Sequence, residues 1–338
     1  MKRRTAIALA VAILSTGCAG LSDSVPAKPE PLRVIVFPGG FNWPIWVAQK
    51  QGYFEREALA VQVTPTPNST FQLKGLIQGD FDLAMTAIDN VIAYREGQGE
   101  AGVDGPDLVA VMGADNGFLR LVGAPDIGSI ADLRGKTLSV DALTTGYAFV
   151  LLEMLDRNGL KLDRDYRTER AGGVSQRYQA LLQRKHAGTM LITPFDVNAA
   201  EQGFKTLGRA NDVIGEYQGV VAAVRQSWAK ENPRRVTAYI RAFSDAVDWL
   251  YDPKNKDEAI RTYLGNMPQG TSAQSAEIAY RVLLDAKDGF YRQGRLNMQG
   301  VDKVVQLREK FGPQGKVLKR GDAYVDSSFL NAALKRRP

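Results

Sequence analysis

The sequence predicts an α/β protein of two lobes, each a mostly parallel sheet flanked by helices, followed by a helical C-terminal region. Three observations predict it. Short β-branched runs alternate with helical patterns over residues 33–97, a second alternating set follows residue 119, and from residue 229 onward only helical patterns remain. Alternation of this kind calls for parallel strands whose faces are covered by helices. With 338 residues the chain is long enough for two ordinary cores.

The first strand is read at residues 33–37, where Val34, Ile35 and Val36 form an apolar, β-branched run ended by Pro38, Gly39 and Gly40. A helix follows over 43–51, with Pro44 in the first turn, where no amide is needed, and Gly52 as its cap. Residues 60–66 alternate as a strand, and Pro67 to Thr70 breaks them before a helix over 71–78. A strand over 82–86, a helix over 88–97 and a strand over 108–112 complete the set. Residues 119–123 cross to the second lobe. That lobe contains a helical turn at 130–135, strands at 137–141 and 189–192, and helices at 146–159, 176–183 and 196–202. Residues 219–225 return as a strand to the first lobe, and helices follow at 229–251, 257–264, 272–285 and 298–311. The resulting plan assigns 32–118 and 220–338 to lobe 1 and 119–219 to lobe 2.

The N-terminus has the layout of a secretory signal over residues 1–17: Lys2, Arg3 and Arg4, then an apolar run over 5–14, then Ser15, Thr16 and Gly17. The apolar run is too short to span a bilayer. Cys18 is the only cysteine, and Leu14-Ser15-Thr16-Gly17-Cys18 resembles a bacterial lipobox, with Ser15 where such boxes usually carry leucine. Lipidation of Cys18 is therefore expected, with 18–31, rich in proline and small residues, as a tether. Three of the six net positive charges belong to Lys2, Arg3 and Arg4. No basic stripe interleaved with aromatics is present, so nucleic acid is not an expected partner.

Several ordered segments are similar to one family. Trp43 to Phe54 resembles the first helix of periplasmic binding proteins of the nitrate, sulfonate and taurine type, a group that includes thiamine-precursor (NMT1/THI5-like) binders. Leu76 to Ala84 resembles that family's helix-Gly-x-x-Asp-strand passage, Ile130 to Lys136 its passage into the second lobe, and Thr193-Pro194-Phe195 a short turn facing the cleft. The similarity runs from about residue 33 to about 260. It implies a type II periplasmic binding protein fold and a solute-binding lipoprotein of an ABC importer. Such a protein works as a monomer at the periplasmic or extracellular face of the cell membrane, with a permease in the inner membrane as partner.

In sheets of this kind ligands bind beyond the carboxyl ends of the strands. The first-lobe turns offer Phe41, Asn42, Trp43, Asn68, Ser69, Thr86 and Asn90, with Asn116 near the crossing; the second-lobe turns offer Thr144, Thr145, Gly146, Tyr147, Gly173 and Phe195. This mixture of aromatic faces and neutral hydrogen-bonding groups suits a small organic solute, anionic or heteroaromatic, with a tilt toward planar compounds. The resemblance implies that the Thr144-Thr145-Gly146 turn holds an anionic group; simple helix capping by the hydroxyls is the competing reading. Trp46 is assigned to the core, and Phe41 or Trp43 to the ligand wall. Asn68 and Asn90 serve either as turn stabilisers or as ligand contacts. Asp89 is read as a helix-capping acid and His186 as a surface residue; Arg120 and Arg177 could pair with an acidic ligand, but surface arginines are common and they stay outside the expected site. One histidine and one cysteine supply no metal cluster, and neither a metal nor a cofactor is expected. Two other readings remain: a THI5-like pyrimidine-forming enzyme, whose cysteine-rich motif is missing here, and a sensory or scavenging lipoprotein without a transporter.

Overall fold

The computed structural model describes residues 29–268, 271–313 and 316–335. The expected signal peptide, Cys18 and most of the tether lie outside the described residues. In chain order the first set of elements is β1 (Glu30–Val36), α1 (Trp43–Lys50), α2 (Tyr53–Arg56), β2 (Leu59–Pro65), α3 (Ser69–Gln78), β3 (Leu83–Ala87), α4 (Ile88–Arg95) and β4 (Leu108–Gly113). The second set is β5 (Arg120–Gly123), β6 (Thr137–Val140), α5 (Gly146–Arg157), β7 (Arg167–Arg170), α6 (Val174–Leu182), β8 (Gly188–Leu191), α7 (Phe195–Glu201), β9 (Lys205–Arg209) and α8 (Ala210–Ile214). Then come β10 (Val220–Arg225) and the helices α9 (Gln226–Glu231), α10 (Pro233–Tyr251), α11 (Lys256–Asn266), α12 (Ala273–Leu283), α13 (Met298–Phe311) and α14 (Ser328–Leu334).

Two five-stranded sheets result, ordered β2-β1-β3-β10-β4 and β7-β6-β8-β5-β9. In the first, β1 is parallel to β2 and β3, while β10 runs antiparallel to both of its neighbours. In the second, β6 is parallel to β7 and β8, and β5 runs antiparallel to β8 and β9. In each sheet the one reversed strand is the first strand reached after the chain crosses over. The strands β3, β10 and β4 are buried almost throughout, as near-continuous apolar sequences covered on both faces should be. The longest helix, α10, buries Val236, Tyr239, Ile240, Phe243, Val247 and Leu250, a stripe at helical spacing, and packs against α1 and α14.

The chain crosses between the sheets at 114–119 and again at 215–219, and Asp115 joins the two crossings. Its Oδ1 accepts from the Gly117 N–H at 2.7 Å and from the Val220 N–H at 3.0 Å, and its carbonyl accepts from the Gly219 N–H at 2.9 Å. Gly219 is needed here, because a Cβ at that position would lie 2.1 Å from the Gly117 nitrogen. Burial pushes the Asp115 carboxyl up from 3.8 to about 6, against the two amides that favour its charged form. The folded state therefore holds this proton more tightly than the unfolded chain does. The contribution of this group to stability is best below pH 4 and falls as pH rises from about 4 to 6, by about 2–3 kcal/mol. Denaturant unfolding across that window should show the decline, and the Asp115→Asn variant should flatten it; an unchanged slope in the variant would contradict the assignment.

Several expected boundaries move. Strand β1 begins at Glu30, inside the expected tether, because the Glu30 amide donates to Ala58 O at 2.9 Å and its carboxylate pairs with Arg234 and Arg235. The helix expected over 229–251 is two helices, since Pro233 has no amide to continue the first and instead starts α10. Strands β7 and β9 were not expected: Arg167-Thr168-Glu169-Arg170 has no apolar residue, and both strands lie at sheet edges with much of their surface in solvent. His186 is not on the surface. It is buried, with its Nε2 3.3 Å from Glu169 Oε2 on β7. No described helix is long and apolar enough to cross a membrane.

Candidate ligand-binding site

The parallel strands of both sheets end at a common cavity between the lobes. Phe37 follows β1, Met85, Thr86 and Ala87 close β3, and Asn90 lies in the first turn of α4. From the other side come Asp141 after β6, Thr145, Gly146 and Tyr147 at the start of α5, Val174 and Arg177 on α6, and Ile192 after β8. Phe41 and Val220 complete the wall. The free volume is about 50 Å³, room for roughly four ordered waters or a compact head group.

Its electrostatics favour an anion. Three helices, α4, α5 and α6, begin at this cavity, and none has a side-chain cap. Their first turns present amides and the positive ends of the helix dipoles. The Thr145 hydroxyl does not cap α5; it donates to Ala142 O at 3.2 Å. Arg177 is only 5% exposed, and its guanidinium donates to the carbonyls of Gly172 at 3.0 Å and Met190 at 3.2 Å. Among the described residues it forms no ion pair. Burial lowers its pKa, and the charge of Asp141 opposes that shift. Asn90 donates to the Thr86 hydroxyl at 2.8 Å.

The lobes meet along the rim. The Ser69 N–H donates to Asp141 Oδ2 at 3.2 Å, and the Gly173 N–H donates to Pro67 O at 3.0 Å. Glu100 Oε1 accepts from the Thr144 N–H at 2.7 Å and hydroxyl at 2.6 Å, and Glu100 also pairs with Arg170. Behind this rim Arg308, on α13, makes a fully buried ion pair with Asp89 at 2.6 Å. The same guanidinium donates to Thr144 O at 2.7 Å and Gln98 Oε1 at 3.1 Å. Gly146 packs directly on this pair: a Cβ there would lie 2.4 Å from the Asp89 Cβ. The conformation is closed.

A family model described as NMT1/THI5 like matches residues 42–256. The chain belongs to this family. Solved structures share the fold of this NMT1/THI5-like protein at low identity. The periplasmic nitrate-binding protein NrtA from Synechocystis PCC 6803 superposes with a TM-score of 0.77 at 11% identity, covering 91% of this chain and 89% of that one. The periplasmic aliphatic sulphonate binding protein SsuA from Escherichia coli gives 0.64 at 20% identity, covering 84% and 87%. The alkanesulfonate-binding protein SsuA from Xanthomonas axonopodis pv. citri, bound to MOPS, gives 0.68 at 15% identity, covering 91% and 98%. No curated protein matches the sequence. The fold is that of the periplasmic binding proteins.

Of the expected site residues, the NMT1/THI5-like chain gathers Phe41, Thr86, Asn90, Thr145, Gly146 and Tyr147 at the cavity. Others lie elsewhere. Asn68 caps α3, accepting from the Phe71 N–H at 2.8 Å, so its role is the turn-stabilising one. Ser69, Thr144 and Gly173 form the interlobe contacts above. Asn116 donates to Asp288 O at 3.2 Å and lines a separate recess with Phe118 and Arg120. Trp43 and Trp46 exchange places. Trp43 is fully buried, donates to Ala259 O at 3.2 Å and packs 4.6 Å from the Tyr263 ring. Trp46 instead lines an outer groove of about 690 Å³, together with Asn42, Tyr178 and Phe195. Asp89 caps nothing; it is the buried partner of Arg308.

Arg177 and Asp141 line the cavity and are not among the expected site residues. Arg177 carried a usable signal: Val174, Arg177, Tyr178 and Leu181 share one buried face of α6, so the arginine stands on an apolar stripe where a surface charge does not belong. Arg120 is also no surface residue, being 3.2 Å from the buried Asp196. Among the described residues no cluster of three or more His, Cys, Asp or Glu is placed to hold a metal ion.

Proposed function

We propose that this chain is the solute-binding component of an ABC-type importer and that it closes its lobes on a small organic anion. The lobes are residues 32–118 with 220–338, and 119–219. The observation that carries this reading is Arg177: a buried guanidinium that makes no ion pair among the described residues, in a cavity where three helix N-termini without side-chain caps converge. Fixed positive charge of this kind is costly to bury unless a ligand completes it. The anionic group takes the Arg177 side and the α5 turn at Thr145 and Gly146, Asn90 and Thr86 supply neutral hydrogen bonds, and Phe37 and Phe41 face the body of the solute. The nitrate- and sulfonate-binding neighbours support an anionic ligand. The role is binding rather than catalysis. Residues 1–17 direct export, Cys18 carries the lipid that holds the protein at the outer face of the membrane, and the closed monomer delivers its solute to a membrane permease.

A thermal-shift and calorimetry panel of nitrate, alkanesulfonates and small carboxylates tests the reading. A cognate anion at 100 times its Kd should add about 2.7 kcal/mol of stability. The Arg177→Gln variant should lose at least about tenfold in affinity, as expected for a charge-assisted contact. A panel in which neutral compounds bind and no anion does would refute it. Mass spectrometry of the mature protein tests the anchor through the acyl mass on Cys18.

A further inference from the structure

The anion reading leaves one group in the cavity unexplained. Asp141 places a carboxylate among features that otherwise select for negative charge. Its Oδ2 accepts from the Ser69 N–H at 3.2 Å, at the start of α3 in the opposite lobe. Its Oδ1 is buried and has no hydrogen-bond partner among the described residues. A buried carboxylate oxygen without a donor is costly, and a bare anion brought into the same space raises that cost through like-charge repulsion. Arg177 attracts this carboxylate through its charge but gives Oδ1 no hydrogen bond, since its Nη atoms donate to the carbonyls of Gly172 and Met190.

We infer that Asp141 is a specificity-determining residue and that the ligand is a zwitterion, with its anionic group toward Arg177 and an ammonium or similar cationic donor toward Asp141 Oδ1. The inference rests on the anion reading above and narrows it. Placing the two charges of the ligand against Arg177 and Asp141 leaves no net charge added to the cavity, the arrangement with the least desolvation cost. Simple anions of the same size satisfy only one side, so discrimination comes from the donor that they lack. A site built to accept a hydrogen bond rejects analogues without the donor far more strongly than an apolar wall rejects a methyl group.

Two near-isosteric pairs provide the test: 2-aminoethanesulfonate against propane-1-sulfonate, and 3-aminopropanoate against butyrate, each measured by calorimetry on the full protein. In each pair an ammonium replaces a methyl group. At least one ammonium probe should bind about tenfold or more tightly than its alkyl partner. The Asp141→Asn variant keeps an acceptor for Ser69 and should bring that ratio close to one. Were Asp141 only an interlobe contact, the variant would weaken both members of a pair equally and leave the ratio unchanged. Equal or tighter binding of the alkyl probes overturns this inference and leaves the anion reading standing. Failure of all four probes on the wild-type protein overturns both.

Discussion

Replacing Arg308 with methionine is expected to destabilise the protein by about 3–5 kcal/mol, because it strands the Asp89 carboxylate without its partner in a fully buried position. Two of the lost hydrogen bonds run to Asp89, at 2.7 and 2.6 Å, and a third releases the Thr144 carbonyl just before α5. The double variant Asp89→Asn, Arg308→Met should recover part of the loss, since the penalty lies mainly in the uncompensated charge. Urea unfolding of wild type, single and double variants measures both effects. A single variant as stable as the wild type would show that the pair is dispensable. The pair also matters beyond stability, because Arg308 holds together the first turns of α4 and α5, which bound the cavity from opposite lobes.

The second large effect is expected from Gly146→Ala. The added methyl would stand 2.4 Å from the Asp89 Cβ, inside the contact between the lobes. The nearest atom is the Cβ of a side chain held by the buried pair with Arg308, not the far end of a flexible chain, so the lobes themselves must move apart. Overpacking of this kind costs about 1–3 kcal/mol, which corresponds to roughly a five- to hundredfold loss of ligand affinity. An open form escapes the clash, so the free variant should unfold near the wild-type midpoint while small-angle scattering shows that ligand no longer contracts it. A variant that contracts normally and binds at full strength would show that the lobes close some other way.

The architecture was legible because its signals are local. Alternating β-branched and helical runs place β1 to β4, β6, β8 and β10, and breakers such as Pro67 and the caps around Gly52 and Gly79 mark their ends. Edge strands β7 and β9 were invisible for the same reason, since a solvated edge needs no apolar alternation. The site was legible only where strand ends are themselves the signal, as at Thr86 and at Thr145 to Tyr147. Trp43 and Trp46 differ by one helical turn, and what separates them is a carbonyl 216 residues away, at Ala259. The sequence pattern ends this strand on Asp141; in the structure Asp141 is the first residue beyond β6, and that single step turns a sheet residue into a cavity wall.

The close approach of Gly117 and Gly219 has a mechanical consequence. Two segments whose backbones touch, and whose amides share one carboxylate, cannot slide along each other, and neither can lengthen independently. The relative movement of the halves is then confined to bending and twisting about this one junction. Two spectroscopic distances between labels placed far from it, in different directions, would separate the two motions.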